Sequence, residues 1–144
     1  MRTKIGLGLV LAGTLIAGFA FGQEDPIAAR QALMKRNGQE ARTAFLMVRE
    51  KTPYDAAAAA EAMNALAADM EILPTLFPPG SETGDTKASA DIFTNMDDFK
   101  ALAAKLGADA KAAAEAAPNG LAAFTEAFNL IDGDCGACHR EYRN

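Results

Sequence analysis

At 144 residues, half of them hydrophobic and 23% charged, with only 12 Gly and 6 Pro, the chain has the composition of one globular domain, not of a disordered, collagenous or multidomain protein. Its formal charge of −5 lacks the basic footprint that binding to nucleic acid or to an anionic membrane surface requires. Two cysteines are too few to staple a small secreted fold, so a hydrophobic core must hold it.

The first elements read as a leader. Arg2 and Lys4 give a positive start, Ile5 to Phe21 is apolar, and the small residues Ala20 and Gly22 suit cleavage before Gln23. Residues 1–22 are therefore expected to be a signal peptide, and residues 23–144 the mature domain. The apolar segment approaches the ~20 residues of a membrane span, but Gly6, Gly8, Gly13 and Gly18 dilute it and polar sequence follows at once. No other stretch approaches membrane length. The expectation is export to the periplasm without stable membrane insertion. Cleavage leaves 12 of the 14 basic residues against 19 acidic ones, a formal charge of −7.

The mature chain is helical in pattern almost throughout, with long alanine tracts such as Ala56 to Ala60 and little from which to make strands. A first helix is predicted from about Pro26 to Lys51, with Asp25 as N-cap, Pro26 at the first position and Pro53 as the stop. Thr52-Pro53-Tyr54-Asp55 has capping-box form and opens a second helix that continues to about Leu73, before Pro74. Residues 74–94, rich in Pro and Gly, read as one long loop. A third helix restarts at Asn95-Met96-Asp97-Asp98 and runs to about Ala116. Pro118-Asn119-Gly120 turns the chain into a fourth, from Leu121 to about Arg143. The predicted fold is all-α, an antiparallel four-helix bundle with one long loop between the second and third helices.

Spacing identifies the inward faces. Phe124, Phe128, Ile131, Cys135, Cys138 and Tyr142 follow steps of four and three along the last helix, so both cysteines lie on its apolar stripe. Phe99, Leu102, Leu106 and Ala113 mark the third helix, and Met63, Leu66, Met70 and Leu73 the second.

Cys135-Gly136-Ala137-Cys138-His139 is the main chemical signal. It matches the motif for covalent attachment of a c-type haem, in which two thiols bond the porphyrin and the adjacent histidine ligates iron. Cysteines three apart share a helix face, and His139 follows Cys135 by four, so thioethers and imidazole converge on one macrocycle. The rival readings fare worse. A thioredoxin-like dithiol belongs beside a βαβ pattern that is missing, and a zinc site would need carboxylates to complete four ligands around a lone histidine. A structural or chance pair remains open.

This motif lies near the C-terminus, as Cys135-Gly136-Ala137-Cys138-His139-Arg140-Glu141-Tyr142-Arg143, after four helices and a long loop. Together with Arg30-Gln31-Ala32-Leu33-Met34-Lys35 on the first helix, and Leu76-Phe77-Pro78-Pro79-Gly80 with Gly84-Asp85-Thr86 in the loop, it resembles the class II c-type cytochromes, the cytochrome c′ family. The resemblance spans essentially the whole mature chain. It is specific at the motif and looser elsewhere; Phe93 stands where many relatives have tryptophan. It implies one covalent haem c.

His139 is the only histidine, so a second axial ligand must come from elsewhere. The resemblance places Met34 at the family's distal position, whereas helical spacing or a helix start already accounts for Met47, Met63, Met70 and Met96 as core. Gly38, one turn on, is a mid-helix glycine of the kind that lets a bulky group approach the backbone. Where relatives carry methionine at this place, the resemblance implies a six-coordinate, low-spin His139/Met34 haem that transfers single electrons. Where they carry a non-coordinating residue, it implies five-coordinate iron that binds nitric oxide or carbon monoxide, and this is the alternative. An ordinary core role for Met34 stays open.

The resemblance also implies that Arg30 and Gln31 reach a haem propionate, and that Arg143 steers a propionate or the imidazole environment. For Arg143 a solvated residue complementing the helix dipole is equally compatible. The expected partners are soluble or membrane-bound redox proteins, with a homodimer through the first two helices also open. Asp97, Asp98, Asp132 and Asp134 read most simply as solvated faces or helix-start charges, with a docking patch for a basic redox partner as the alternative. An enzyme is not expected, because the sequence shows no distal histidine, no second metal motif and no nucleophile with a base partner.

Overall fold

Helix α1 (Pro26–Val48) opens the computed structural model, which describes residues 25–144. The expected signal peptide, 1–22, lies outside the described residues. Asp25 caps α1, its Oδ1 accepting a hydrogen bond from the Ile27 N–H at 2.9 Å, and Pro26 takes the first turn, where a missing N–H costs nothing. The helix stops three residues short of Lys51. Glu50 adopts a left-handed φ of 52°, and the Lys51 N–H returns to Leu46 O at 2.8 Å. This turn closes the helix before Pro53 is reached.

The cap of α2 (Ala56–Ile72) is Asp55, whose Oδ1 accepts from the Ala57 and Ala58 N–H groups at 2.9 and 3.0 Å. The expected capping box at Thr52 does not form: α2 begins only at Ala56, so the capping position falls on Asp55. The helix then tightens into a 3₁₀ turn, Leu73–Leu76, that contains Pro74. The segment 74–94 is correspondingly less irregular than expected: it ends in a one-turn helix, α3 (Asp91–Thr94). α4 spans Met96–Ala116, a 3₁₀ turn covers Ala117–Asn119, and α5 runs from Leu121 to Tyr142. Gly120 reverses the chain between them with φ 97°, a conformation that a Cβ would strain.

α1, α2, α4 and α5 form the antiparallel four-helix bundle, α2 packing between α1 and α4, and α5 closing the ring against α4 and α1. Among the described residues no strand forms; an isolated antiparallel bridge joins Ala88 to Arg143. Phe124, Met63, Leu66, Ile92 and Ile131 are the largest fully enclosed side chains. Each such burial contributes roughly 1.5–3 kcal/mol. The predicted stripes turn inward, with Leu102, Cys135 and Cys138 at the edge of the core and the others fully inside. Alanines 59, 62, 103, 110 and 113 are buried, and small side chains let α2 and α4 approach closely. Among the described residues, no helix is long and apolar enough to cross a membrane.

Two polar links brace the bundle. Arg36 of α1 grips the buried Asp69 of α2 with both Nε and Nη2. The loop is pinned to the end of α5: the Ser89 N–H donates to Tyr142 O at 2.9 Å and the Asn144 N–H to Lys87 O at 2.8 Å.

Candidate functional site

α5 stays helical through the whole Cys-x-x-Cys-His motif, so Cys135, Cys138 and His139 share one face near its C-terminal end. Lys105 positions this segment. Its Nζ bonds Asp134 Oδ1 at 2.6 Å and Asp109 Oδ2 at 2.7 Å, tying α4 to the residue before Cys135.

Both thiols are unpaired, half-buried and packed against the core. Burial pushes the Cys135 pKa up, helped by Asp132 and Asp134; burial and then Asp98 do the same for Cys138. A redox dithiol needs the opposite shift. Among the described residues, no three His, Cys, Asp or Glu side chains converge as a metal cluster. Two neutral thiols at the rim of a core are suited to a covalent bond with an apolar ring.

His139 is exposed. Partial burial first, and the Arg143 charge second, lower its imidazole pKa, which favours the neutral form that ligates metals. Arg143 thus lies within electrostatic reach of His139, and its backbone N–H donates to His139 O at 3.2 Å.

α1 presents Arg30, only 5% exposed. Its Nη2 donates to Ser81 O at 2.9 Å and its guanidinium lies over the Phe77 ring at 4.4 Å, yet Nε and Nη1 have no partner. Burial lowers its pKa against the opposing pull of Asp25 and Glu82. A buried cation with two idle nitrogens is costly unless an anion completes it, and a haem carboxylate is such an anion. The residues present therefore fit the haem. Gln31 is held on the same loop, its Nε2 donating to Asp85 O at 2.8 Å.

Met34 is half-buried against the core, one turn beyond Arg30. Gly38 is exposed, and apart from its chain neighbours and its own turn of helix backbone no atom lies within 4 Å of where a Cβ would stand, so protein packing gives no reason for glycine there. An aromatic chain backs the site: Phe77 meets Phe93 at 5.9 Å and Phe99 at 4.9 Å, and Phe99 meets Tyr142 at 5.4 Å, all edge-on. The Tyr142 phenol donates to Asp98 Oδ2 at 2.6 Å. Sequence reasoning missed Asn37, buried on α1 with its amide unpartnered. The spacing of Arg30, Leu33, Asn37, Ala44 and Met47 along the inward stripe was a signal that could have found it.

A four-helix bundle with Cys-x-x-Cys-His on its last helix and a buried arginine short of an anion defines a bundle-type c-type haem protein. A sequence profile described as Cytochrome C′ matches residues 25–143. "Cytochrome c-556" from Agrobacterium fabrum is 36% identical over 143 residues, covering 99% of this chain and 97% of that protein. "Cytochrome c′" from Rhodopseudomonas palustris is 35% identical over 144 residues, covering 99% and 96%. A solved structure of cytochrome c′ from Rhodopseudomonas palustris superposes with a TM-score of 0.79 at 33% identity, covering 85% of this chain and 98% of that one. The chain belongs to the cytochrome c′ family, and its cofactor is a covalently attached haem c with iron.

Proposed function

We propose that this protein is a periplasmic one-electron carrier whose haem iron takes His139 and Met34 as axial ligands. The observation that carries the reading is Met34 itself, a half-buried thioether on α1 four residues after the anion-seeking Arg30. That spacing is about 6 Å along the helix, so a side chain meeting a porphyrin carboxylate and one meeting its centre sit on successive turns.

When bound, the haem supplies a reversible ferric/ferrous couple. The chain's residues do the rest. Cys135 and Cys138 tether the ring, and His139 offers a neutral imidazole. Met34 offers a soft sulfur, which favours the ferrous state and closes the second axial position. Arg30 and Gln31, both held by the 81–85 loop, face the propionates, and Arg143 tempers the charge around His139. The partners are redox proteins, soluble or membrane-bound, and a second copy through α1 and α2 is a further one.

A second reading, five-coordinate iron that binds nitric oxide or carbon monoxide, is favoured by the relatives named cytochrome c′ and turns on the same methionine. Ferric and ferrous optical spectra with and without carbon monoxide test the two. A low-spin ferric spectrum with a far-red sulfur-to-iron band and slow carbon monoxide uptake supports the carrier. A high-spin ferric spectrum and rapid uptake transfers the assignment to gas binding.

A further inference from the structure

α1 holds a second buried polar group that its surroundings leave idle. Asn37 is 8% exposed, and neither Nδ2 nor Oδ1 has a hydrogen-bond partner. Apart from Arg30, the other residues of the inward stripe, Leu33, Ala44 and Met47, are apolar, so a carboxamide stands out. A buried amide without a partner destabilises a fold and calls for an acceptor or donor to explain it.

Asn37 follows Met34 by three residues and Arg30 by seven, placing all three on one side of α1 over about 10 Å. Around the helix, Arg36 lies about 100° from Asn37 on the side turned to α2, where it holds Asp69; Met34 lies about 60° the other way. Asn37 therefore stands at the border between the α1–α2 contact and the face that carries Met34. Side chains three apart on a helix are neighbours, about 5–6 Å between Cβ atoms, and a thioether sulfur accepts a hydrogen bond weakly.

Resting on the His139/Met34 reading above, we propose that Asn37, unpartnered in this structure, is a positioning residue for the axial thioether in the holoprotein, where its Nδ2–H donates a hydrogen bond to Met34 Sδ. The bond fixes the methionine rotamer and draws electron density from the sulfur. A sulfur that donates less stabilises ferric iron less, so Asn37 raises the reduction potential.

The holoprotein carries the test. Wild type and Asn37→Leu are poised in the same redox buffer and the ferric-to-ferrous ratio is read optically. Loss of one ordinary hydrogen bond shifts that ratio about fivefold toward ferric, with the sulfur-to-iron band retained but displaced. An unchanged ratio and band overturn the proposal and leave Asn37 a packing residue. Should Asn37→Leu yield no holoprotein, NMR of the reduced wild type decides. Asn37 amide protons moved by the porphyrin ring current and slow to exchange support the bond, whereas ordinary shifts and fast exchange overturn it. A wild type lacking the sulfur-to-iron band overturns both readings at once, and is seen before any change at position 37.

Discussion

Tyr142 donates its phenol hydrogen to Asp98 Oδ2 at 2.6 Å, linking the turn after His139 to the first turn of α4. The bond, followed by burial and the Asp98 charge, pushes the Tyr142 pKa up from 10 to about 12. The folded state thus holds this proton more tightly than the unfolded one. The contact's stability is complete below pH 10 and is lost as the pH rises through about 12. Tyr142→Phe is expected to cost about 1 kcal/mol at neutral pH. The difference between wild type and variant should shrink across that alkaline window, as denaturant titrations at pH 8 and pH 11 would report.

Met34→Ala is expected to abolish the far-red band and produce a high-spin ferric spectrum. It removes an internal ligand that competes for the iron, so apparent carbon monoxide affinity of the ferrous protein rises. If the position is free only a tenth of the time in wild type, the gain is about tenfold. Stopped-flow mixing with carbon monoxide measures it. Equal binding in both proteins rules out Met34 as a ligand.

Arg30→Met should act with opposite sign in the two forms of the protein. In the haem-free chain it removes a buried cation with two unpartnered nitrogens, and the unfolding midpoint holds or rises. In the holoprotein it strands a propionate, with a loss of about 1–3 kcal/mol. Paired thermal melts of apo and holo samples check the reversal; a loss of equal size in both would show that Arg30 serves only its contacts with Ser81 and Phe77.

Asp69 is 3% exposed and depends on Arg36 for both carboxylate oxygens. Arg36→Met leaves that carboxylate buried and unpaired, so it should lower the unfolding midpoint more than Arg36→Met combined with Asp69→Leu. A double variant less stable than the single one would contradict this.

Features legible in the sequence are those set by near neighbours. Asp25 and Pro26 announce α1, the steps from Phe124 to Tyr142 define the buried face of α5, and Cys135, Cys138 and His139 carry their chemistry in their spacing alone. Features that were not legible depend on residues far apart in the chain. Nothing near Glu50 foretells its left-handed turn, and Thr52 resembles a cap until Asp55 takes that place. The loop owes its order to Tyr142 and Asn144, more than fifty residues from its start. Arg30 was readable as a site residue only through resemblance, whereas its burial on Phe77 and its idle N–H groups emerge from the packing. Gly38 still lacks a reason within the chain itself.

The central claim is that Cys135 and Cys138 bind one haem covalently. Its most direct test is the intact mass, under denaturing conditions, of the exported protein from cells competent in c-type haem maturation, beside a Cys135→Ser/Cys138→Ser variant. The wild type should be coloured and carry the mass of the chain plus one haem, and the variant should lose both. A colourless wild type with the mass of the bare polypeptide would contradict the claim.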